Sequence, residues 1–236
     1  EPLEIRIEGR PTAVTMRTPG HDLELVAGFL LTEGVIDGPD DLTAHAHVDS
    51  PADPQGNTVD VLLAAGVPAA RRDRATRELF ASSSCGICGK ASIDRVMLRG
   101  PTIERSIEPD PTVLCSLPAT LRETQPVFAR TGGLHAAALF SPDGKLEVLR
   151  EDIGRHNAVD KVVGWRVHRD RVPIDDRILL VSGRAGFEIL QKARFAGISV
   201  VAAIGAPSSL AVALAAEAGM VLVGFLRAEG FNRYTG

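Results

Sequence analysis

The sequence predicts an α/β fold, and two observations predict it. From about residue 134 onward, short apolar runs alternate with helical patterns in a β-α-β-α-β order, which is typical of a parallel or mixed sheet covered by helices. At the other end of the chain, Leu3, Ile5 and Ile7 alternate with charged residues, which is the period of a half-buried strand. With 236 residues, 44% hydrophobic and 24% charged, the composition is that of an ordinary globular protein.

The N-terminal part predicts a small α+β element. The first strand breaks at residues 9–11, and residues 13–17 can return as its hairpin partner. Apolar residues at helical spacing predict a helix over residues 23–31, which Gly34 ends. A further strand is predicted over residues 58–64, and the Pro-, Asp- and Gly-rich stretch 39–57 is predicted to be loop.

The C-terminal part predicts the larger layered structure. Two strands, 135–140 and 146–149, flank a strong turn signal. The following elements are predicted as a helix at 155–166, strand 177–181, helix 186–195, strand 198–204, helix 208–218 and strand 220–226. We therefore expect an N-terminal α+β element over residues 1–80 and an α/β domain over residues 81–236.

Charge and hydropathy exclude several classes of function. A formal net charge of −4 argues against general nucleic-acid binding. No apolar run approaches the roughly 20 residues that a membrane helix needs, and the charged first residues do not look like a signal peptide. The chain begins without Met, so we expect native N-terminal residues to be missing. Three cysteines, two of them in one CxxC, favour functional thiols in a reducing cytoplasm over a secreted disulfide framework.

The CxxC segment contains the candidate catalytic residues, Cys85 and Cys88. Small residues surround both thiols, so nothing bulky shields them. A helix predicted over residues 91–98 would place its N-terminus beside them, and its dipole and Lys90 would favour the thiolate. The open alternatives are a structural metal knuckle and two unreactive thiols, because a CxxC alone is a common pattern.

A zinc site is the main alternative for these cysteines. Cys85, Cys88, Cys115 and His135 could supply four ligands, and His135 resembles the histidine of the H-x-E motif in zinc-dependent nucleobase deaminases. Ala137 stands where that motif has its essential Glu, and the CxxC precedes the histidine instead of following it. Deamination is therefore not expected, and we predict no tightly bound metal.

Two further clusters are more polar than a fold requires. Residues 151–161, EDIGRHNAVDK, begin a predicted helix, and a solvated helix face is their simplest alternative. The turn at residues 182–188 joins a strand to a helix through glycines. Its Gly183 N–H and the Arg184 guanidinium could bind an anion, although an ordinary tight turn explains the same residues.

The C-terminal segment leaves a predicted strand at its carboxyl end, where α/β sheets tend to bind ligands. Phe225 or Phe231 could stack on a base, and Arg227 could contact a phosphate. An ordinary C-terminal tail is the alternative for this segment.

Taken together, these strings resemble the formate dehydrogenase accessory sulfurtransferase family, FdhD. The resemblance covers almost the whole chain in the right order. Its blocks are residues 15–20 (TMRTPG), 28–34 (GFLLTEG), 84–90 (SCGICGK), 131–135 (TGGLH), 151–161 (EDIGRHNAVDK) and 182–184 (SGR). The chain stops short of the family's usual C-terminal extension.

The resemblance implies a deaminase-like α/β domain without deaminase chemistry. It implies that a cysteine desulfurase loads sulfur onto Cys85 as a persulfide. The protein would transfer that sulfur to a molybdenum or tungsten bis(molybdopterin guanine dinucleotide) cofactor before the cofactor enters the formate dehydrogenase catalytic subunit. It also implies a homodimer with a cofactor site in each subunit. The guanine dinucleotide, for which GDP is a mimic, would contact Phe225, Leu226, Arg227, Ala228, Glu229 and Gly230.

Two alternatives from other classes remain. A cofactor-binding chaperone that moves no sulfur would need residues 225–230 but not Cys85. A thiol–disulfide oxidoreductase would normally have its CxxC after a first strand of a smaller fold, whereas here some eighty residues precede it.

Overall fold

A computed structural model gives the fold and describes residues 1–48, 53, 55–72, 100, 101, 103 and 106–236. Cys85, Cys88, the predicted helix at residues 91–98 and the predicted domain boundary at residues 80 and 81 all lie outside the described residues. The described residues form two mixed sheets with helices packed against them, which confirms the predicted α/β class. No helix among them is long and apolar enough to cross a bilayer.

The first sheet has the strand order β2-β1-β4-β3. Strand β1 (Pro2–Ile7) pairs antiparallel with β2 (Arg10–Met16) and parallel with β4 (Thr58–Leu63), which confirms the predicted hairpin and strand. The prediction that residues 39–57 form only loop is wrong, because β3 (Leu42–His47) pairs antiparallel with β4. Strand β3 lies at an edge with mostly exposed side chains, so it lacks the hydrophobic alternation that reveals a strand.

Three α-helices whose bounds are fully described precede the second sheet. Helix α1 spans Asp22–Thr32, as predicted, and Gly34 follows it with a positive φ of 70°, the conformation that commonly ends a helix. Helices α2 (Pro111–Glu123) and α3 (Pro126–Thr131) were not predicted. Asp110 caps α2 by accepting a hydrogen bond of 2.7 Å from the Thr112 N–H, so an Asp-Pro capping signal was present in the sequence.

The second sheet has the order β10-β9-β8-β7-β5-β6, with β7, β8 and β9 parallel and the other neighbours antiparallel. Its strands are β5 (His135–Phe140), β6 (Leu146–Asp152), β7 (Ile178–Val181), β8 (Val200–Ala203), β9 (Val221–Arg227) and β10 (Gly230–Thr235). Its connecting helices are α4 (Arg155–Val167), α5 (Phe187–Phe195) and α6 (Ser209–Ala218). Every predicted element of this part is confirmed, and β10 is an addition.

Alternate residues of the second sheet pack on its two faces. Leu179 and Val181 of β7 face the larger core with α1, α4, α5 and α6, whereas Ile178 and Leu180 face a smaller core that includes α2. The larger core also contains Leu3, Ile5 and Val59 of the first sheet. The N-terminal residues therefore share a hydrophobic core with the rest of the chain.

Helices α1 and α4 cross at two glycines. A Cβ on Gly28 would lie 1.8 Å from the carbonyl oxygen of Asp160, and a Cβ on Gly164 would lie 1.8 Å from that of Glu24. Each glycine therefore faces the backbone of the opposite helix at a distance that no side chain allows. This crossing fixes how closely the N-terminal element approaches the second sheet.

A candidate ligand-binding edge

The carboxyl ends of β7, β8 and β9 form a continuous backbone edge. The Gly205 N–H donates to the Gly183 carbonyl at 2.9 Å, and the Phe225 N–H donates to the Gly205 carbonyl at 3.1 Å. A Cβ on Gly205 would lie 2.9 Å from the Gly183 oxygen, so glycine is required for this approach. Ligands of open α/β sheets bind outside the carboxyl ends of the strands, and the structure brings the predicted Gly183 and Phe225 together there.

The predicted segment 225–230 forms the tip of a hairpin. Phe225 lies in a β-bulge between β9 and β10 with a positive φ of 53°, and its side chain is 43% exposed. Leu226 is buried in the smaller core, so its side chain cannot contact a ligand at the edge. Ala228 and Glu229 form the turn, and Gly230 begins β10. This region is a paired hairpin rather than an irregular tail, and its role in binding stays a prediction.

Two arginines supply positive charge at this edge. Arg227 donates from Nη1 to the carbonyl of Ile204 at 2.6 Å and to that of Leu226 at 2.8 Å, which holds its exposed guanidinium over the end of β8. Arg184 is exposed and makes no ion pair or side-chain hydrogen bond within the described part of the chain. An arginine without a protein partner is suited to bind an anionic ligand group.

The polar motif at residues 151–161 is partly structural. Asp152 is fully buried, lies 2.7 Å from the Lys161 ammonium and accepts hydrogen bonds from Gly154 N at 2.8 Å and Asn157 Nδ2 at 3.0 Å. It also accepts from the backbone N–H of Thr18 at 3.1 Å, which attaches the loop after β2 to the second sheet. The alternative of a solvated helix face is therefore wrong for these buried residues.

A second buried ion pair joins α1 to α4 and α5. The Lys192 ammonium lies 2.9 Å from Asp160 Oδ2 and also donates to Thr32 at 3.0 Å and Glu33 at 3.2 Å. Burial raises the pKa of Asp160 to about 6, an effect that the Lys192 charge opposes. Burial lowers the pKa of Lys192, but attraction by Asp160 and Glu33 outweighs burial and raises it overall. The pair is thus ionised at neutral pH.

Two histidines and a carboxylate remain outside these networks. His156 in the first turn of α4 places Nε2 3.9 Å from Oε2 of Glu188 in the first turn of α5, and their side chains are only 13% and 12% exposed. The buried Nε2 atom has no hydrogen-bond partner among the described residues. Burial, followed by the charges of Lys192 and Arg155, lowers the pKa of His156 to about 3. His156 is therefore neutral at physiological pH.

His135, at the same edge of the sheet, forms a cluster with His156 and Glu188. A Cβ on Gly183 would lie 3.3 Å from His135 Nδ1, so the imidazole packs against the glycine turn. Burial, followed by the charge of Arg155, lowers the pKa of His135. In the sequence, His135 was named as a candidate zinc ligand and as part of the 131–135 block of the family resemblance. Nothing in the sequence patterns singled out Glu188, because the contact with His156 joins two helices far apart in the chain.

The described residues do not decide the zinc hypothesis. Within them, no group of three or more His, Cys, Asp or Glu side chains is arranged to hold a metal ion. Cys115 is a partly exposed free thiol on α2. The proposed ligand set also needs Cys85 and Cys88, which lie outside the described residues, so the absence of a bound metal stays a prediction.

Fold and edge together define a mixed α/β protein with glycine turns, cationic side chains and an exposed aromatic ring along the carboxyl ends of three parallel strands. A family model described as FdhD/NarQ matches residues 1–236. The chain belongs to the FdhD/NarQ family.

Relatives named sulfur carrier protein FdhD cover the whole chain. The one from Mycobacterium tuberculosis is 50% identical, covering 100% of this chain and 88% of the relative. The one from Streptomyces coelicolor is 51% identical, covering 100% of this chain and 86% of the relative. A solved structure from Desulfotalea psychrophila, provisionally assigned as a formate dehydrogenase accessory protein, has a TM-score of 0.75 at 23% identity and covers 100% of this chain and 86% of that one. That likeness shows the fold.

Proposed function

We propose that this protein is a sulfur carrier required for formate dehydrogenase activity. It accepts sulfur as a persulfide on Cys85 from a cysteine desulfurase and passes it to a molybdenum or tungsten bis(molybdopterin guanine dinucleotide) cofactor. The observation that supports this most strongly is the match of the whole chain, at about half identity, to proteins named sulfur carriers. The carboxyl edge of β7–β9 also supports it, because its exposed aromatic ring and its arginines suit a nucleotide.

The chemistry of loading is thiol–persulfide exchange. The Cys85 thiolate attacks the terminal sulfur of the desulfurase persulfide, a new S–S bond forms, and the desulfurase thiolate leaves. For release, the Cys88 thiolate attacks the inner sulfur of the Cys85 persulfide. That step forms a Cys85–Cys88 disulfide and expels hydrosulfide, which the cofactor metal accepts as its sulfur ligand. A dithiol reductant then returns the disulfide to two thiols.

The edge accounts for how the cofactor would be held. The exposed Phe225 ring offers a face on which a guanine base can stack. Arg184, which lacks a partner among the described residues, and the N–H groups of the Gly183 turn suit the diphosphate. Arg227 adds a second guanidinium above the end of β8. The metal-bearing part of the substrate supplies the sulfur acceptor, and these residues bind and orient the nucleotide end.

The remaining parts of the proposal follow from the family resemblance. We propose that the protein works in the cytoplasm as a homodimer, with the desulfurase and the formate dehydrogenase catalytic subunit as partners. A cofactor-binding chaperone that moves no sulfur is the second candidate function. The polar groups at the carboxyl edge of β7–β9 support it equally. The two candidates differ only in whether Cys85 is needed.

The decisive experiment is mass spectrometry after incubation with a cysteine desulfurase and cysteine. We expect a mass gain of one sulfur atom that a reductant removes. Cys85→Ser should abolish this gain and the rescue of formate dehydrogenase activity in a deletion strain, whereas Cys88→Ser should impair rescue. Cys115→Ser, a matched thiol on α2 outside any motif, should load normally. Full rescue by the Cys85→Ser protein would overturn sulfur transfer and leave the chaperone.

Nucleotide binding gives a second test that does not involve the cysteines. We expect GDP to bind about tenfold or more tightly than ADP, because a mismatched base edge leaves buried polar groups unpaired. Arg227→Ala should weaken GDP binding without changing sulfur loading. Calorimetric titration of GDP and ADP measures both effects. Equal affinity for the two nucleotides, or normal GDP binding by Arg227→Ala, would remove residues 225–230 from the site.

A further inference from the structure

Among the described residues, the cluster of His135, His156 and Glu188 lacks the short ion pairs and hydrogen bonds of the neighbouring networks. The buried polar groups of the neighbouring networks are all paired, as Asp152 is with Lys161 and Asp160 with Lys192. By contrast, the buried Nε2 of His156 has no partner, and the nearest carboxylate oxygen, on Glu188, is 3.9 Å away. Buried polar atoms in folded proteins are nearly always hydrogen-bonded. An unpaired one therefore indicates a group that ligand binding or closure brings into contact.

The Glu188 carboxylate makes the cluster poorly suited to bind a phosphate. Glu188 is a carboxylate that would repel an anion, and His156 is neutral at physiological pH, so it cannot offset that charge. Neutral imidazoles provide one N–H donor and one acceptor each, and the carboxylate provides acceptors only. This set of groups matches a neutral, planar heterocycle that carries N–H donors beside an acceptor.

The position of the cluster separates it from the proposed nucleotide site. Phe225 and Arg227 both lie on β9, with the Arg227 guanidinium over the end of β8. His135 begins β5, and His156 and Glu188 lie at the starts of the helices that follow β6 and β7. Adjacent strands are about 4.8 Å apart, and β9 and β5 are three positions apart in the sheet, so Phe225 and His135 are roughly 14 Å apart along one edge. The Gly183–Arg184 turn lies between them and contacts His135 on one side and Gly205 on the other.

We propose that Glu188 and His156, with His135 beside them, form a subsite for the pterin ring of the substrate. The pyrimidine part of a pterin carries an amino group and a ring N–H beside a carbonyl. The Glu188 carboxylate accepts from the two N–H groups, while a small shift closes the gap between His156 and Glu188 and orients both. This assignment rests on the proposed function, since it locates the second heterocycle of the same cofactor, at the opposite end of the cofactor from the nucleotide.

The test measures two ligands separately. Unsubstituted pterin, followed by its fluorescence, and GDP, followed by calorimetry, are titrated into wild-type protein and into Glu188→Gln and Glu188→Asp variants. We expect Glu188→Gln to weaken pterin binding about tenfold, because charged hydrogen bonds contribute more than neutral ones. GDP affinity should stay within about twofold. Arg227→Ala should show the opposite pattern, and Glu123→Gln, which removes an exposed carboxylate on α2, should change neither affinity.

Glu188→Asp keeps the charge but retracts it, so it should bind pterin with intermediate affinity if the carboxylate makes the contact. Pterin binding that is unaffected by Glu188→Gln would overturn the subsite, as would no detectable pterin binding to the wild-type protein. An equal loss of GDP and pterin affinity would overturn it too, since it would place guanine at Glu188. In each of these cases, normal sulfur loading on Cys85 and normal GDP binding by wild-type protein would leave the proposed function intact.

Discussion

Two regions of the molecule are rich in glycine and charged residues: the contact between α1 and α4, and the edge at the ends of β7–β9. They differ in whether their polar groups have hydrogen-bond partners. At the helix contact, Asp160 and Lys192 are buried and fully paired. At the edge, Arg184 and the buried nitrogen of His156 have no hydrogen-bond partner within the described chain. Paired groups stabilise the fold, and unpaired groups are available to a ligand. Polarity alone therefore does not identify a site.

The largest expected effect tests the paired region. Lys192→Met should lower the free energy of unfolding by about 3–5 kcal/mol, because it leaves Asp160 buried without its counter-ion. Chemical denaturation at neutral pH measures this loss. Arg184→Ala removes an unpaired cation from the edge and should change stability by no more than about 0.5 kcal/mol. The contrast between the two regions is wrong if both variants lose the same stability.

A smaller effect is expected where the two helices cross. Gly28→Ala should cost about 2–3 kcal/mol, since its methyl group would meet the Asp160 carbonyl and force the helices apart. This value is a net cost, because the higher helix propensity of alanine offsets part of the destabilisation. Thermal and chemical unfolding measure it. Gly66→Ala is the matched control, because nothing lies within 4 Å of its Cβ position, and a silent Gly28→Ala would contradict the close crossing.

The smallest effect is a pH dependence that comes from the edge. The folded pKa of His156 is lowered from 6.5 to about 3, so between these values the unfolded chain binds a proton that the folded protein does not. This group therefore stabilises the fold above pH 6.5, and that stabilisation is lost as the pH falls. Between about pH 7.5 and 5.5 the loss is about 1.4 kcal/mol.

His156→Gln removes this titration. Its free energy of unfolding should therefore fall by about 1.4 kcal/mol less than that of the wild type between pH 7.5 and 5.5. His135, His45 and His168 also have pKa values lowered by burial, but they titrate in both proteins, so the comparison cancels them. Urea denaturation of both proteins at the two pH values gives the difference. Parallel curves for wild type and His156→Gln would show that His156 is not held neutral by burial.

Several elements follow directly from local pattern. The alternation of Leu3, Ile5 and Ile7 predicted β1, and buried apolar runs predicted β7, β8 and β9. Edge strands β3 and β10 were missed because their side chains are largely exposed, so their pairing depends on backbone hydrogen bonds that leave no hydrophobic pattern. Helix α2 was missed although Asp110 and Pro111 carry a capping signal.

The sequence by itself determined the α/β class, the family resemblance and the residues proposed for sulfur transfer, because strand and helix periods and short motifs are local properties of the chain. Only the tertiary structure decided which polar residues of the 151–161 motif are structural. It paired Asp152 with Lys161 and Asp160 with Lys192, and it left His156 facing Glu188. Burial and pairing depend on contacts between residues distant in sequence, so the same charged segment contains residues that stabilise the fold and, beside them, a histidine whose Nε2 is left unpaired.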